Sequence, residues 1–107
     1  MTPGEERESG FKVDAGHPAL AGHFPGEPVL PGVVVLDRVI EAARAWLGPE
    51  LTVVGLPQAK FMSPLRPGDE ARTSLRRVGD KLHFRVACGD RLVATGIIEF
   101  RCGQGGT

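Results

Sequence analysis

A single pattern of helical period runs through this chain, and it ends abruptly. Leu36, Ile40, Ala43 and Leu47 fall at i, i+4, i+7 and i+11, which is one face of a helix, and Gly48-Pro49 then stops it. Pro31-Gly32 bound the other side, so a helix is expected over 33 to 47. Val33, Val34, Val35, Val39 and Trp46 carry apolar surface around more than one side of it. A helix of that kind must be wrapped by other elements rather than laid on a surface.

The wrapping has to come from strands. Segments 51–62, 70–79, 81–89 and 91–101 read as β, with Gly79-Asp80 and Gly89-Asp90 between the last three as tight turns of an antiparallel meander. Residues 64–69, PLRPGD, form a wider loop, and residues 11–13, FKV, a short edge strand. Residues 1–10 and 103–107 lack hydrophobic period and are expected as tails. The fold class is therefore α+β: one domain over residues 11–102, with a long helix cradled in a curved antiparallel sheet. At 107 residues a modest single core forms and a second domain does not.

Charge excludes some partners. Thirteen basic and thirteen acidic residues give a formal net charge of +0, so no global field argues for nucleic acid or an anionic membrane surface. No apolar stretch has the length of a membrane span, and the polar start MTPGEERESG is unlike a signal peptide, so the cytoplasm is the expected location. Cys88 and Cys102 match no metal spacing and are expected as buried or half-buried thiols in a reducing compartment.

The stretch "AGHFPGEPVLPGVVVLDRV", residues 21–39, concentrates the chemistry. It sets one His among three Gly and three Pro, ahead of an apolar run with a single acid, Asp37. Restricted and permissive backbone on either side suits His23 to being aimed. The first amides of the helix, at Gly32, Val33 and Val34, are free donors at its positive end, where an anion or a polarised carbonyl is stabilised. Taken singly, each feature has a plainer reading: a hydrogen-bonded loop histidine, a dipole partner, a helix start. Together, an acid/base histidine, a carboxylate and a bare helix end within fifteen residues make a candidate site. His17 is assigned to loop packing, His83 to a strand surface, and Trp46 to core or dimer packing.

"HFPGEPVLPGVVVLD" resembles the signature of the β-hydroxyacyl-acyl carrier protein dehydratases: His-Phe-Pro-Gly, a spacer, Pro-Gly, then a helix bearing Glu or Asp fourteen residues after the His, as Asp37 follows His23. "GLPQAKFMSPLRPGD", residues 55–69, is similar to a second family stretch, keeping Gly55, Ala59, Phe61, Pro64 and Pro67-Gly68-Asp69. "RLVATGIIEF" resembles the family's last strand, and the likeness spans residues 11–101. Pro57-Gln58 and Met62-Ser63 stand where the family has Asp-Lys and paired Arg.

The resemblance implies a hotdog fold and a dimer, homodimeric, heterodimeric or assembled as a trimer of dimers, with His23 of one subunit facing Asp37 of the other. It implies reversible loss of water from a (3R)-hydroxyacyl thioester carried on acyl carrier protein or CoA, in fatty-acid, polyene or polyketide synthesis, with no metal or other cofactor. His23 and Asp37 would be catalytic, with the Gly32 and Val33 amides receiving the thioester oxygen. Phe24, Val29, Leu30, Val34, Phe61 and Met62 would line the acyl tunnel, and Arg38, Lys60 and Arg66 would dock the carrier. A hotdog thioesterase and a non-catalytic acyl-binding subunit of a dehydratase heterodimer are the rival readings.

Overall fold

The computed structural model describes residues 6–13 and 32–102. Five strands and one helix follow in the order β1 (Glu6–Lys12), α1 (Gly32–Leu47), β2 (Leu51–Phe61), β3 (Glu70–Val78), β4 (Lys81–Cys88) and β5 (Arg91–Cys102). The strands form one antiparallel sheet in the order β1-β3-β4-β5-β2, with α1 packed on one face.

The meander β3–β4–β5 closes through two-residue turns. Val78 pairs with Lys81 and Cys88 with Arg91, leaving only Gly79-Asp80 and Gly89-Asp90 between. Gly79 (φ 63°) and Gly89 (φ 61°) take the left-handed backbone that such hairpins require and that side chains with a Cβ resist. Alternation then turns Ala71, Thr73 and Leu75 of β3, Leu82, Phe84 and Val86 of β4, and Ile98 and Phe100 of β5 toward the helix, where all are buried. Gly96 is small of necessity: a Cβ there would collide with the Gln58 carbonyl oxygen and meet the Phe84 ring at 2.6 Å.

The sequence expectations hold for the helix and for β2–β5 to within a residue or two at each end. Three details differ. Residues 6–10 are strand rather than tail, because β1 pairs with β3 from Glu6↔Arg76 to Lys12↔Glu70. That pairing is made by backbone groups, and the side chains stay largely exposed, so no hydrophobic alternation announces it. Next, the buried stripe of α1 is Val35, Val39 and Ala43, while Leu36, Ile40 and Leu47 pack at its margin. The opposite stripe, Val33, Asp37 and Glu41, is exposed, with Val33 at 66%. Finally, Cys102 is exposed at the end of β5, where the strand has run past the core; Cys88 is half-buried.

Candidate active site

The site is built where α1 begins. Gly32 is the first residue of the helix, so its amide and those of the next residues lack intrahelical acceptors. The Phe61 ring, at the end of β2, lies directly over it: a Cβ on Gly32 would sit 3.1 Å from Phe61 Cε1 and 3.2 Å from Cζ. Glycine thus leaves room here for the close approach of an aromatic ring. The chain leaving β2 is tied down just beyond, where the Met62 and Ser63 amides donate to the Val93 carbonyl at 2.8 and 3.3 Å.

Asp37 lies one turn into α1, four residues after Val33 and on the same exposed stripe. Val33, Phe61 (47% exposed) and Met62 (41%) add apolar surface open to solvent, and Val34 is half-buried against the core. Among the described residues, therefore, Asp37 stands exposed rather than in the apolar setting that the sequence leads one to expect. His23, Phe24, Val29 and Leu30, together with His17, lie outside the described residues.

The three cations assigned to carrier docking do not form one patch. Arg38 is engaged within its own subunit, donating from Nη1 to Glu41 Oε1 at 3.0 Å and lying over the Phe11 ring at 6.0 Å. Lys60 pairs in register with Thr95, on the sheet face turned away from α1. Arg66 is exposed in the loop between β2 and β3. His83 sits half-buried on that outer sheet face opposite Arg76, in keeping with a strand-surface role, and Trp46 is half-buried with the Arg7 guanidinium 5.8 Å from its ring centroid.

A clamp that the sequence reading missed holds the approach to this region. Asp69 accepts a hydrogen bond from the Arg66 amide at 2.9 Å and from Arg91 Nη2 at 3.0 Å. The backbone amide bond, opposed in part by desolvation and aided by the Arg91 charge, holds the Asp69 carboxyl below the usual carboxylate value. The Val13 amide donates to the Asp69 carbonyl and the Gly68 amide to the Val13 carbonyl, both at 2.9 Å. Val13 is the residue immediately before segment 14–31, which carries His23. Pro67-Gly68-Asp69 signalled a turn, but its partner Arg91 is twenty-two residues away and invisible to local pattern.

The chain matches the model of the ApeI-like family, described as ApeI dehydratase, over residues 2–97. It is 35% identical over 102 residues to the 3-hydroxyacyl-[acyl-carrier-protein] dehydratase FabZ of Chlamydia trachomatis, an alignment covering 82% of this chain and 67% of that protein. Among solved structures it resembles the dehydratase heterocomplex ApeI:P from Xenorhabdus doucetiae, with TM-score 0.82 and 28% identity over 91% of this chain and 88% of that one. The (R)-hydratase of A. caviae involved in PHA biosynthesis shares the fold at TM-score 0.71 and 16% identity, over 94% of this chain and 96% of that one. With one helix on a curved five-stranded antiparallel sheet, and with a family match running over nearly its whole length, the chain is a hotdog-fold member of the ApeI-like, FabZ-related dehydratase family.

Proposed function

We propose that the protein is a hydro-lyase that removes water from a (3R)-hydroxyacyl thioester on acyl carrier protein to give the trans-2-enoyl thioester. The observation that carries this reading is Asp37. A helix carboxylate at the family's distance from His23 stands on an exposed stripe beside Val33, one turn from the helix end covered by Phe61. Such an arrangement has purpose if a second subunit covers it.

The chemistry follows from what the substrate lacks. Its C2 proton is weakly acidic and hydroxide is a poor leaving group. Charge also builds on the thioester oxygen as the proton leaves. In the proposed cycle the neutral imidazole of His23 takes the C2 proton. The electron pair forms the C2–C3 double bond as the C3–O bond breaks, and Asp37 of the other subunit delivers a proton so that water departs. The Gly32 and Val33 amides donate to the thioester oxygen throughout. Phe24, Val29, Leu30, Val34, Phe61 and Met62 form the apolar walls along the acyl chain.

The test is hydration of an enoyl thioester by His23→Ala and Asp37→Asn, with folding checked by thermal melting. Each substitution should lower turnover by about 10²-fold or more, the scale of a positioned acid or base. Near wild-type rates in both would sink the assignment.

A second reading is favoured by one observation, that the Xenorhabdus relative is described as a dehydratase heterocomplex. Here this chain is one half of a heterodimer, and its own turnover appears only when the partner chain is added. Release of free thiol from an acyl thioester, without enoyl product, would instead identify a thioesterase.

A further inference from the structure

The described residues on either side of segment 14–31, which carries His23, are Val13 and Gly32. One stretch of chain, 61–69, meets both. At its start the Phe61 ring lies over Gly32, and at its end Gly68 and Asp69 hold Val13. The Val13 amide donates to the Asp69 carbonyl and the Gly68 amide to the Val13 carbonyl, which carries the β1–β3 pairing past Lys12↔Glu70. Val13 is also buried in the core, so this point is fixed by packing as well as by hydrogen bonds.

The same stretch is fastened at both ends to the start of β5. The Met62 and Ser63 amides donate to the Val93 carbonyl, and Arg91 Nη2 donates to Asp69 Oδ2 at 3.0 Å. That oxygen accepts the Arg66 amide too, at 2.9 Å, while the Asp69 amide donates to the Arg66 carbonyl at 3.0 Å. A single carboxylate therefore closes the turn and receives the cation. Between the two fastenings, Leu65 is fully buried.

Stability alone does not explain Arg91. The pair is partly exposed, at 40% and 26%, a setting in which ion pairs contribute little. Arg91 Nε is left buried with no partner among the described residues, which costs free energy. What the contact secures is placement.

We propose that Asp69 and Arg91 are a positioning pair for the dehydration: by tying the 62–69 loop to β5 they fix the point from which the chain runs to His23, relative to the helix end at Gly32. The proposal rests on the dehydratase reading and adds two residues that touch no substrate yet bear on its turnover. His23 stands midway in sequence between the two anchored points, so both ends bear on where it is held. A displacement of about 1 Å introduced far from the reacting atoms is enough to cost about 10²-fold in rate.

The experiment measures enoyl-thioester hydration by Arg91→Met, Arg91→Lys, Asp69→Asn and the double variant Asp69→Asn/Arg91→Met, each well below its melting temperature. Arg91→Met should lower kcat about tenfold or more with KM changed less than about twofold, because the residue touches no substrate. Lysine can supply the single bond to Oδ2, so Arg91→Lys should keep most of kcat. The double variant should lose no more than the worse single one, as for two halves of one contact. Lower melting temperatures with kcat retained, equal losses in the Lys and Met variants, or losses that multiply in the double variant overturn the proposal.

The NMR signal of the His23 ring Cε1–H, identified by its loss in His23→Ala, is followed in parallel, with His83 on the outer sheet face as the control. It should move in Arg91→Met and return in Arg91→Lys while the His83 signal stays in place. If wild type turns over no hydroxyacyl or enoyl thioester, the dehydratase reading falls and this signal alone decides whether the pair positions His23. A His23 signal that is the same in every variant overturns the proposal.

Discussion

The β3–β4–β5 meander and the end of the molecule where α1 meets β2 are closed to very different degrees. In the meander, the inward side chains reach near-complete burial, the turns are two residues long, and each strand has a neighbour on both sides. At the other end β2 is an edge strand with register shifts between Val53 and Gly55 and again before Gln58. Its Val54, Leu56 and Phe61 are 51%, 44% and 47% exposed, next to a helix stripe led by Val33. Among the described residues, one region is closed on itself, whereas the other presents apolar surface and a carboxylate. The shared active site proposed above would need this division: a self-sufficient scaffold to hold geometry, and an open half to receive the complementary group.

Paired substitutions break that comparison most sharply. Asp37→Asn should remove about 10²-fold or more of enoyl hydration while leaving the melting temperature within a degree or two, since the side chain is exposed among the described residues. Gly96→Ala should do the reverse. The added methyl meets the Gln58 carbonyl and the Phe84 ring, costing about 1–3 kcal/mol and lowering the melting temperature by several degrees, with turnover per folded molecule retained. If Gly96→Ala cost activity and not stability, the meander would be part of the site rather than its support.

A smaller effect is expected at the junction of the two regions. Asp69 has a folded pKa below its ordinary 3.8, so its contribution is fully present above that value and is lost as pH falls through the folded pKa. Melting curves from pH 6 down to pH 2 should therefore fall more steeply in wild type than in Asp69→Asn, the two converging at the acid end. Parallel curves would show that the Arg66 and Arg91 contacts contribute nothing to stability. The smallest effect concerns Thr73, buried between β1 and β4 with its hydroxyl lacking a partner in the described structure. Thr73→Val keeps the shape and removes the unsatisfied group, and should stabilise by about 1 kcal/mol in denaturant titration.

Much of this was legible in the residues themselves. Gly48 marks the helix end; it takes φ 119° and donates to the Arg44 carbonyl, a conformation glycine tolerates and other residues do not. Gly79-Asp80 and Gly89-Asp90 mark the hairpins for the same reason. The spacing of His23 to Asp37 marked the family. What escaped reading depended on partners distant in sequence. β1 forms because backbone groups of 6–12 find β3 some sixty residues away, while its side chains, ERESGFK, carry no alternating pattern. The helix offered apolar residues on several sides, and packing against β1, β2 and β3 chose Val35, Val39 and Ala43.

The sequence by itself therefore determined the helix, strands β2–β5, the two tight turns and the family, because these depend on local dihedral preference and on spacing along one chain. Only the tertiary structure decided which side of α1 is buried, that Asp37 and Val33 are left facing outward, and that Arg76, His83 and Lys60 stand on the far face of the sheet. Those outcomes depend on register between strands, where a shift of one residue exchanges the two faces. No count of residues along the chain contains that register.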